Sequence, residues 1–97
     1  MIIASYEIIA KFKKKHADSR SALDAWYTLA QKSNWKNFEE LKGTFSSAEV
    51  FKECTIFDIG GNKYRLIAGV DYEAQVVRVK QVLTHAEYNR DKWKKEC

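Results

Sequence analysis

The sequence has no proline, and it has only four glycines, two cysteines and two histidines among its 97 residues. No low-complexity stretch or repeat marks a linker, so the length predicts one domain over residues 1–97. No apolar run approaches the roughly 20 residues of a membrane span, and the first residues lack the basic segment of a signal peptide. These absences predict a soluble, cytoplasmic protein without membrane contact.

The few cysteines and histidines form no recognisable metal motif. Cys54 and Cys97 lack the C-x-x-C spacing and a histidine at zinc-site spacing, so two free thiols and no metal are expected. Free thiols fit a reducing cytoplasm. The glycine motifs of nucleotide binding and the G-x-S-x-G nucleophile motif are also missing, so no cofactor is expected.

Hydrophobic and basic residues are well represented. Hydrophobic residues make up 45% of the chain, enough for a core without disulfides or metal. The formal net charge of +4 is compatible with a polyanionic partner but does not by itself identify one.

Hydrophobic spacing predicts helices in the first half of the chain. Ser5 is the predicted cap of a helix that runs to about His16, and Asp18 is the predicted cap of a second helix. The two form a helical hairpin. Asn37 and Glu40 have the capping-box spacing of a short third helix. The inner face of the second helix consists of Leu23, Trp26, Tyr27 and Ala30.

The hydrophobic period changes to two in the second half, which predicts strands. Two-residue turns are expected at Gly60-Gly61 and at Tyr72-Glu73. The order predicts an α+β fold: a small antiparallel sheet, an N-terminal helical hairpin packed on one face, and a C-terminal helix. The predicted segments are a short strand over 1–4, strands over 54–59, 63–70 and 75–83, and a helix over 84–95.

Two-residue turns would give the sheet an apolar face toward the helices and a basic, uncovered face. In this register Arg65 faces Lys80, and Arg78 faces Ile67. Like charges that face each other destabilise a sheet by up to ~1 kcal/mol per pair. Either carboxylate counterions such as Asp58 or a phosphate track explains such a cluster. The predicted basic face comprises Lys63, Arg65, Ile67, Val76, Arg78, Lys80 and Val82.

The segment Thr84-His85-Ala86-Glu87-Tyr88 is the most informative one for chemistry. Thr84 and Glu87 have the spacing of a capping box, which is a structural role. His85 has no such role and occupies the first helical position, where the helix dipole favours the neutral imidazole of a general base. The alternative is an inert surface histidine.

RNA cleavage without a metal needs a base for the ribose 2′-OH, cations for the phosphorane and an acid for the departing 5′-oxygen. The predicted catalytic residues are His85, Arg65, Tyr88, Arg78 and Lys80. The predicted RNA-binding residues are Lys63, Lys36 and Trp35. Trp35 either stacks on a base or caps the core, whereas Trp26 and Trp93 are expected to anchor the core.

Several segments together resemble the HigB-type toxins of bacterial toxin–antitoxin pairs. They are Asn34–Lys42, Phe57–Ile67 and Thr84–Tyr88, together with the helical Ala25-Trp26-Tyr27. The resemblance spans nearly the whole chain, in order and with matching spacing. It implies a RelE-like fold and an endoribonuclease that cleaves mRNA, typically on translating ribosomes, without a cofactor.

The resemblance also implies partners and site residues. The implied partner is a HigA-like antitoxin with a helix-turn-helix domain, which would bring operator DNA with it. By position, the family's arginine is Arg65, and its histidine and tyrosine are His85 and Tyr88. This chain has Asn89 where the family commonly has aspartate. Two alternatives to the enzyme are an RNA- or ribosome-binding module that blocks translation by occupancy, and a purely protein-binding remnant.

Overall fold

Five strands form one sheet in the order β1-β5-β4-β3-β2, as a computed structural model of all 97 residues shows. The central strands β3, β4 and β5 pair in antiparallel fashion, as predicted. The elements are β1 (Ile2–Ala4), α1 (Tyr6–Lys15), a 3-10 turn (Ala17–Ser19), α2 (Arg20–Lys32), α3 (Phe38–Thr44), β2 (Glu49–Phe51), β3 (Cys54–Ile59), β4 (Tyr64–Asp71), β5 (Val76–Thr84), α4 (His85–Asn89) and a C-terminal 3-10 helix (Lys92–Glu96).

The two edge strands differ from the predicted sheet. β1 pairs with β5 in parallel, with Ile2 opposite Val76, so the sheet is mixed rather than antiparallel throughout. β2 was not predicted, and it pairs with β3 at the other edge. The α+β class and the order of helices and strands are otherwise confirmed. None of the helices is long and apolar enough to cross a lipid bilayer.

The predicted helices are present. Ser5 occupies the predicted N-cap position of α1, whereas the predicted cap of α2 is wrong, because Ser19 occupies that position. Ser5 has a left-handed backbone, and its side chain makes no cap hydrogen bond. Asp18 lies in the 3-10 turn before α2, where its carboxylate accepts from the hydroxyl of Tyr64 instead. The Asn37 cap of α3 is confirmed, because its side chain accepts from the backbone N–H of Glu40 at 2.9 Å.

The main core lies between the helices α1, α2 and α3 and one face of the sheet. Leu23, Trp26 and Ala30 of α2 are buried there, as their spacing predicts. The strand side chains on this face include Phe57, Ile59, Leu66, Ala68, Val77, Val79 and Val82.

Both hairpin connections contain four residues, so the predicted two-residue turns are wrong. Ile59 pairs with Tyr64 at one turn, and Asp71 pairs with Val76 at the other. Gly60 and Gly61 both have positive φ angles of 64° and 69°, which glycine adopts without strain. Because the first turn is longer by two residues, the faces of β3 and β4 remain as predicted.

Lys80 forms a β-bulge that changes the predicted register of β5. Ile67 pairs with Gln81, and Ala68 pairs with Val79, so Lys80 has no partner in β4. The extra residue moves Val82 from the predicted basic face into the core.

The bulge also removes the predicted like-charge pair. Arg65 faces Leu83 rather than Lys80, and Arg78 faces Gly69 rather than the predicted isoleucine. The sheet therefore avoids the repulsion that the predicted register would create.

The predicted helix over 84–95 is broken. The helix α4 ends at Asn89, and Asp91 then adopts a positive φ of 61° before the C-terminal 3-10 helix. This break turns the C-terminal segment, residues 92–97, back onto the second face of the sheet.

A smaller core lies beneath the C-terminal segment, so the second face is not uncovered as predicted. Trp93 is 3% exposed and packs with Ile56 and Ile67. A disulfide joins Cys54 to Cys97, with the two Cα atoms 5.4 Å apart. The prediction of two free thiols is therefore wrong, and the prediction of a reducing cytoplasm loses that support.

Candidate active site

The helix α4 begins where β5 ends, and a capping box fixes this junction. The hydroxyl of Thr84 accepts from the backbone N–H of Glu87 at 3.2 Å, and the Glu87 carboxylate accepts from the Thr84 N–H at 2.9 Å. The hydrogen bond from the Thr84 backbone lowers the pKa of Glu87. Both residues therefore have the structural role that their spacing predicts.

His85 is exposed at the first position of α4. Its Nδ1 atom lies 3.0 Å from the side-chain nitrogen of Asn89, one helical turn later. This contact orients the imidazole and leaves Nε2 without a protein partner. The ring can therefore exchange a proton with a bound substrate through Nε2.

Arg65 is only 8% exposed, in contrast to its predicted position on an open face. Its Nε atom lies 3.1 Å from Oδ1 of Asp58, and its Nη1 atom donates to the carbonyl oxygens of Asn62 and Tyr64. Its Nη2 atom donates to the side chain of Asn62. Each of the three guanidinium nitrogen atoms thus has a partner within the protein.

Tyr88 links Arg65 to the C-terminal segment. The Arg65 guanidinium lies 4.9 Å from the centre of the Tyr88 ring. The ring of Trp93 stacks on Tyr88 with centroids 5.1 Å apart, and its indole N–H donates to the Tyr88 carbonyl oxygen at 3.0 Å. These contacts hold α4 against the sheet, and the Tyr88 hydroxyl has no protein partner.

Arg78 and Lys80 do not lie with His85. Arg78 is near the opposite end of β5, roughly 20 Å from Thr84 at the rise of a strand residue. The Lys80 ammonium donates to the carbonyl oxygen of Glu96 at 2.9 Å. Both cations line a groove of about 450 Å³ together with Glu53, Gly69, Val70, Asp71, Ala74 and Val76. The two carboxylates in this groove oppose binding of a polyanion.

The three predicted RNA-binding residues are also separated. Lys63 is exposed at the α4 end of the sheet, and its ammonium is 3.1 Å from Asp18. Trp35 is 3% exposed, and its indole N–H donates to Thr44, so the ring caps the core and is not available to stack on a base. The Trp35 carbonyl accepts from Gln75 beside the β4–β5 turn, which places exposed Lys36 at the far end from α4.

Two exposed cations beside α4 were missed by the sequence reasoning. Arg90 and Lys92 line a shallow groove of about 180 Å³ with Gln81, Leu83, Glu87 and Trp93. They follow α4 in the chain, and the predicted continuous helix concealed the break that groups them there.

The second histidine was also missed. The ring of His16 stacks on Phe12 with centroids 4.3 Å apart and lies 5.7 Å from the ring of Tyr64. The hydroxyl of Tyr64 donates to Asp18 at 2.6 Å. This hydrogen bond raises the pKa of Tyr64 and lowers that of Asp18. No motif in the sequence marks His16, because its second aromatic neighbour, Tyr64, comes from β4, far along the chain.

The model of the HigB toxin family, described as the RelE-like toxic component of a toxin-antitoxin system, matches residues 19–91. The chain belongs to the HigB toxin family. The α+β architecture with a five-stranded mixed sheet is compatible with a RelE-like fold. The matched HigB segment contains Arg65, His85 and Tyr88, whereas His16 and Cys97 lie outside it.

Individual members of the HigB family are similar over most of their length. The chain is 33% identical over 79 residues to the mRNA interferase toxin HigB of Escherichia coli K12, which covers 78% of this chain and 76% of that protein. The identity and coverage are the same for the mRNA interferase HigB of Shigella flexneri. The mRNA interferase HigB of Escherichia coli O6:H1 strain CFT073 is 28% identical over 80 residues, or 79% and 78% of the two chains.

Proposed function

We propose that this HigB-family protein is an endoribonuclease, the toxin of a toxin–antitoxin pair, and that it cleaves mRNA with its own side chains. The observation that carries the proposal is the exposed imidazole of His85 within the family match, with Nε2 free for a substrate. The similar proteins of known name are mRNA interferases, which supports the same substrate class here.

The proposed reaction needs two proton transfers and no group from outside the chain. One side chain removes the proton from a ribose 2′-OH, and the 2′-oxygen forms a bond to the adjacent phosphorus. The bond from phosphorus to the 5′-oxygen breaks, and a second side chain gives that oxygen a proton. The products are a 2′,3′-cyclic phosphate and a 5′-hydroxyl end. His85 performs one of these transfers in the proposal.

In this proposal the charged residues around α4 have two roles, positioning α4 and binding phosphates. Arg65 is buried against Tyr88 and positions α4, since all its nitrogen atoms already bond to the protein. Arg90 and Lys92 are exposed beside α4 and contact the phosphates of the RNA. Cations placed near the phosphorus stabilise the charge of the phosphorane.

The proposal includes the partners that the family description supports. A toxic component requires an antitoxin, and we propose a HigA-like helix-turn-helix protein in that role. That antitoxin would connect the toxin to operator DNA. We also propose that cleavage takes place on translating ribosomes, whose RNA attracts a chain with a net charge of +4.

One observation favours the alternative of a non-catalytic module that blocks translation by occupancy. Arg65 is nearly buried with every guanidinium nitrogen in contact with the protein, and Arg78 and Lys80 are remote from His85. Such a module would bind RNA or ribosomes and release no new ends.

Product analysis separates the two functions. The purified chain is incubated with mRNA, with and without ribosomes, and 5′-hydroxyl and 2′,3′-cyclic phosphate ends are mapped. We expect cleavage by the wild type and ~10²-fold slower single-turnover cleavage by His85→Gln, with RNA affinity retained. The exposed-surface control Glu39→Gln should cleave like the wild type. Translation arrest without new ends would support occupancy and reject the enzyme.

A further inference from the structure

His16 lies at the same end of the sheet as His85, although the two are far apart in sequence. Tyr64, which contacts His16, pairs across the strands with Thr84, the residue before His85. After the hydrogen bond from the Thr84 backbone, proximity to His16 is a further cause of the lowered pKa of the Glu87 carboxyl in α4. The end of α1 and the beginning of α4 therefore bring both histidines of the chain to the same end of the sheet.

The environment of His16 holds the ring and leaves its nitrogen atoms free. Stacking on Phe12 and the contact with Tyr64 restrain the half-buried ring. Neither ring nitrogen has a hydrogen-bond partner in the protein, although a purely structural histidine usually has one. A restrained imidazole with free nitrogen atoms suits proton transfer to a ligand.

The other titratable groups near His16 already have hydrogen-bond or ionic partners within the protein. The proton of the Tyr64 hydroxyl lies in the 2.6 Å hydrogen bond to Asp18, which also contacts Lys63. The Glu87 carboxylate bonds to the backbone of Thr84. At this end of the sheet, both ring nitrogen atoms of His16 and Nε2 of His85 therefore remain free to exchange a proton with a ligand.

We propose that His16 is the second proton-transfer residue of the ribonuclease reaction and acts on the same phosphodiester as His85. This inference rests on the proposed function. One histidine takes the proton of the 2′-OH as the 2′-oxygen bonds to phosphorus. The other gives a proton to the 5′-oxygen as its bond to phosphorus breaks.

The variant His16→Phe separates this role from a structural one. Phenylalanine retains the stacking on Phe12 and the contact with Tyr64 and removes both ring nitrogen atoms. We expect the melting temperature and RNA affinity of the wild type, ~10²-fold slower single-turnover cleavage, and loss of one limb of the pH–rate profile between about pH 5 and 8. The titratable groups around His16 are Glu87, Tyr64 and Asp18, and the cations Lys63 and Arg90 lie beside Asp18 and Glu87.

A second variant tests the inference if His16→Phe does not fold. His16→Gly should lose the same rate and regain part of it when imidazole is added, because free imidazole can occupy the space of the side chain. If the wild type cleaves RNA and His16→Phe cleaves it at the same rate, the inference is wrong but the proposed function stands. Absence of 5′-hydroxyl ends with the wild type overturns both the inference and the proposed function.

Discussion

Arg65 is held almost entirely inside the protein, by contacts with its own chain. Its guanidinium joins Asp58, Asn62 and the ring of Tyr88 in a nearly buried position. Charged groups that lose water on burial need such partners, and removing one partner leaves the others unsatisfied. The residue therefore supports the position of α4 and, through it, His85.

Replacement of Arg65 should destabilise the protein. We expect Arg65→Ala to lower the free energy of unfolding by about 2 to 3 kcal/mol, because Asp58 and Asn62 lose their partner. Urea unfolding measures the change. The control Arg78→Ala removes an exposed arginine and should change stability by less than about 0.5 kcal/mol. Equal stabilities of the two variants would contradict the structural role of Arg65.

Local sequence reasoning placed His85 and Tyr88 correctly in the helix after β5, misjudged the surroundings of Arg65, and left two roles open for Trp35. Alternation along β4 correctly predicts which face Arg65 occupies. It does not predict whether a distant segment covers that face, and Trp93 does cover it. The burial of Trp35 also depends on a residue that is not adjacent in sequence, because its indole N–H donates to Thr44 at the end of α3. Burial of single residues depends on such distant contacts.

The helix α4 has only five residues, so its capping box has a large share in its stability. An isolated helix of this length is unstable in water, because the free-energy cost of nucleation exceeds the stabilisation by so few hydrogen bonds. The two hydrogen bonds between Thr84 and Glu87 satisfy orphan donors at its start. The position of His85 therefore depends on this cap.

The ionised form of Glu87 should make the cap sensitive to acid. A carboxyl group whose pKa is lowered by folding adds stability above its unfolded value, and this contribution is lost as the pH falls through the folded value. We expect Glu87→Gln to be less stable than the wild type by about 0.5 kcal/mol at pH 7.

Urea unfolding at a series of pH values measures this difference. It should start to decline as the pH falls through about 4.3, the ordinary value of glutamate, and vanish below the lower pKa of Glu87 in the folded protein. A difference that persists undiminished in acid would show that glutamine fails for another reason, such as a lost hydrogen bond.

Elements with local determinants were predicted well, and features that depend on two strands were not. The capping motifs of α3 and α4 act within four residues, so the sequence reveals them. The lengths of both hairpin turns and the bulge at Lys80 depend on how neighbouring strands pair and twist. Period-two alternation alone does not determine these features.

The molecule as a whole has a sheet that is covered on both faces by different parts of the chain. The helices α1, α2 and α3 cover one face, and the C-terminal segment covers part of the other. The disulfide between Cys54 and Cys97 closes a loop with a sequence separation of 43 residues. A cross-link of this span restricts the unfolded chain strongly.

Reduction of this disulfide should lower the stability of the whole molecule. The chain-entropy estimate for such a loop is about 4 kcal/mol, and we expect a measured loss of about 2 to 4 kcal/mol. Thermal unfolding with and without a thiol reductant tests this. The double variant Cys54→Ser, Cys97→Ser should match the reduced wild type and not respond to the reductant. A wild type that is insensitive to reductant would contradict the expectation.

The bulge at Lys80 has a consequence for how relatives of this chain should be aligned. Since Lys80 has no partner in β4, a chain that lacks this residue can retain the pairs of Ile67 with Gln81 and of Ala68 with Val79. A gap at this position leaves the same side chains in the core. A gap placed a few residues later would exchange Val82 with a neighbour from the opposite face. When relatives differ in the length of β5, the gap in the alignment should therefore be placed at residue 80.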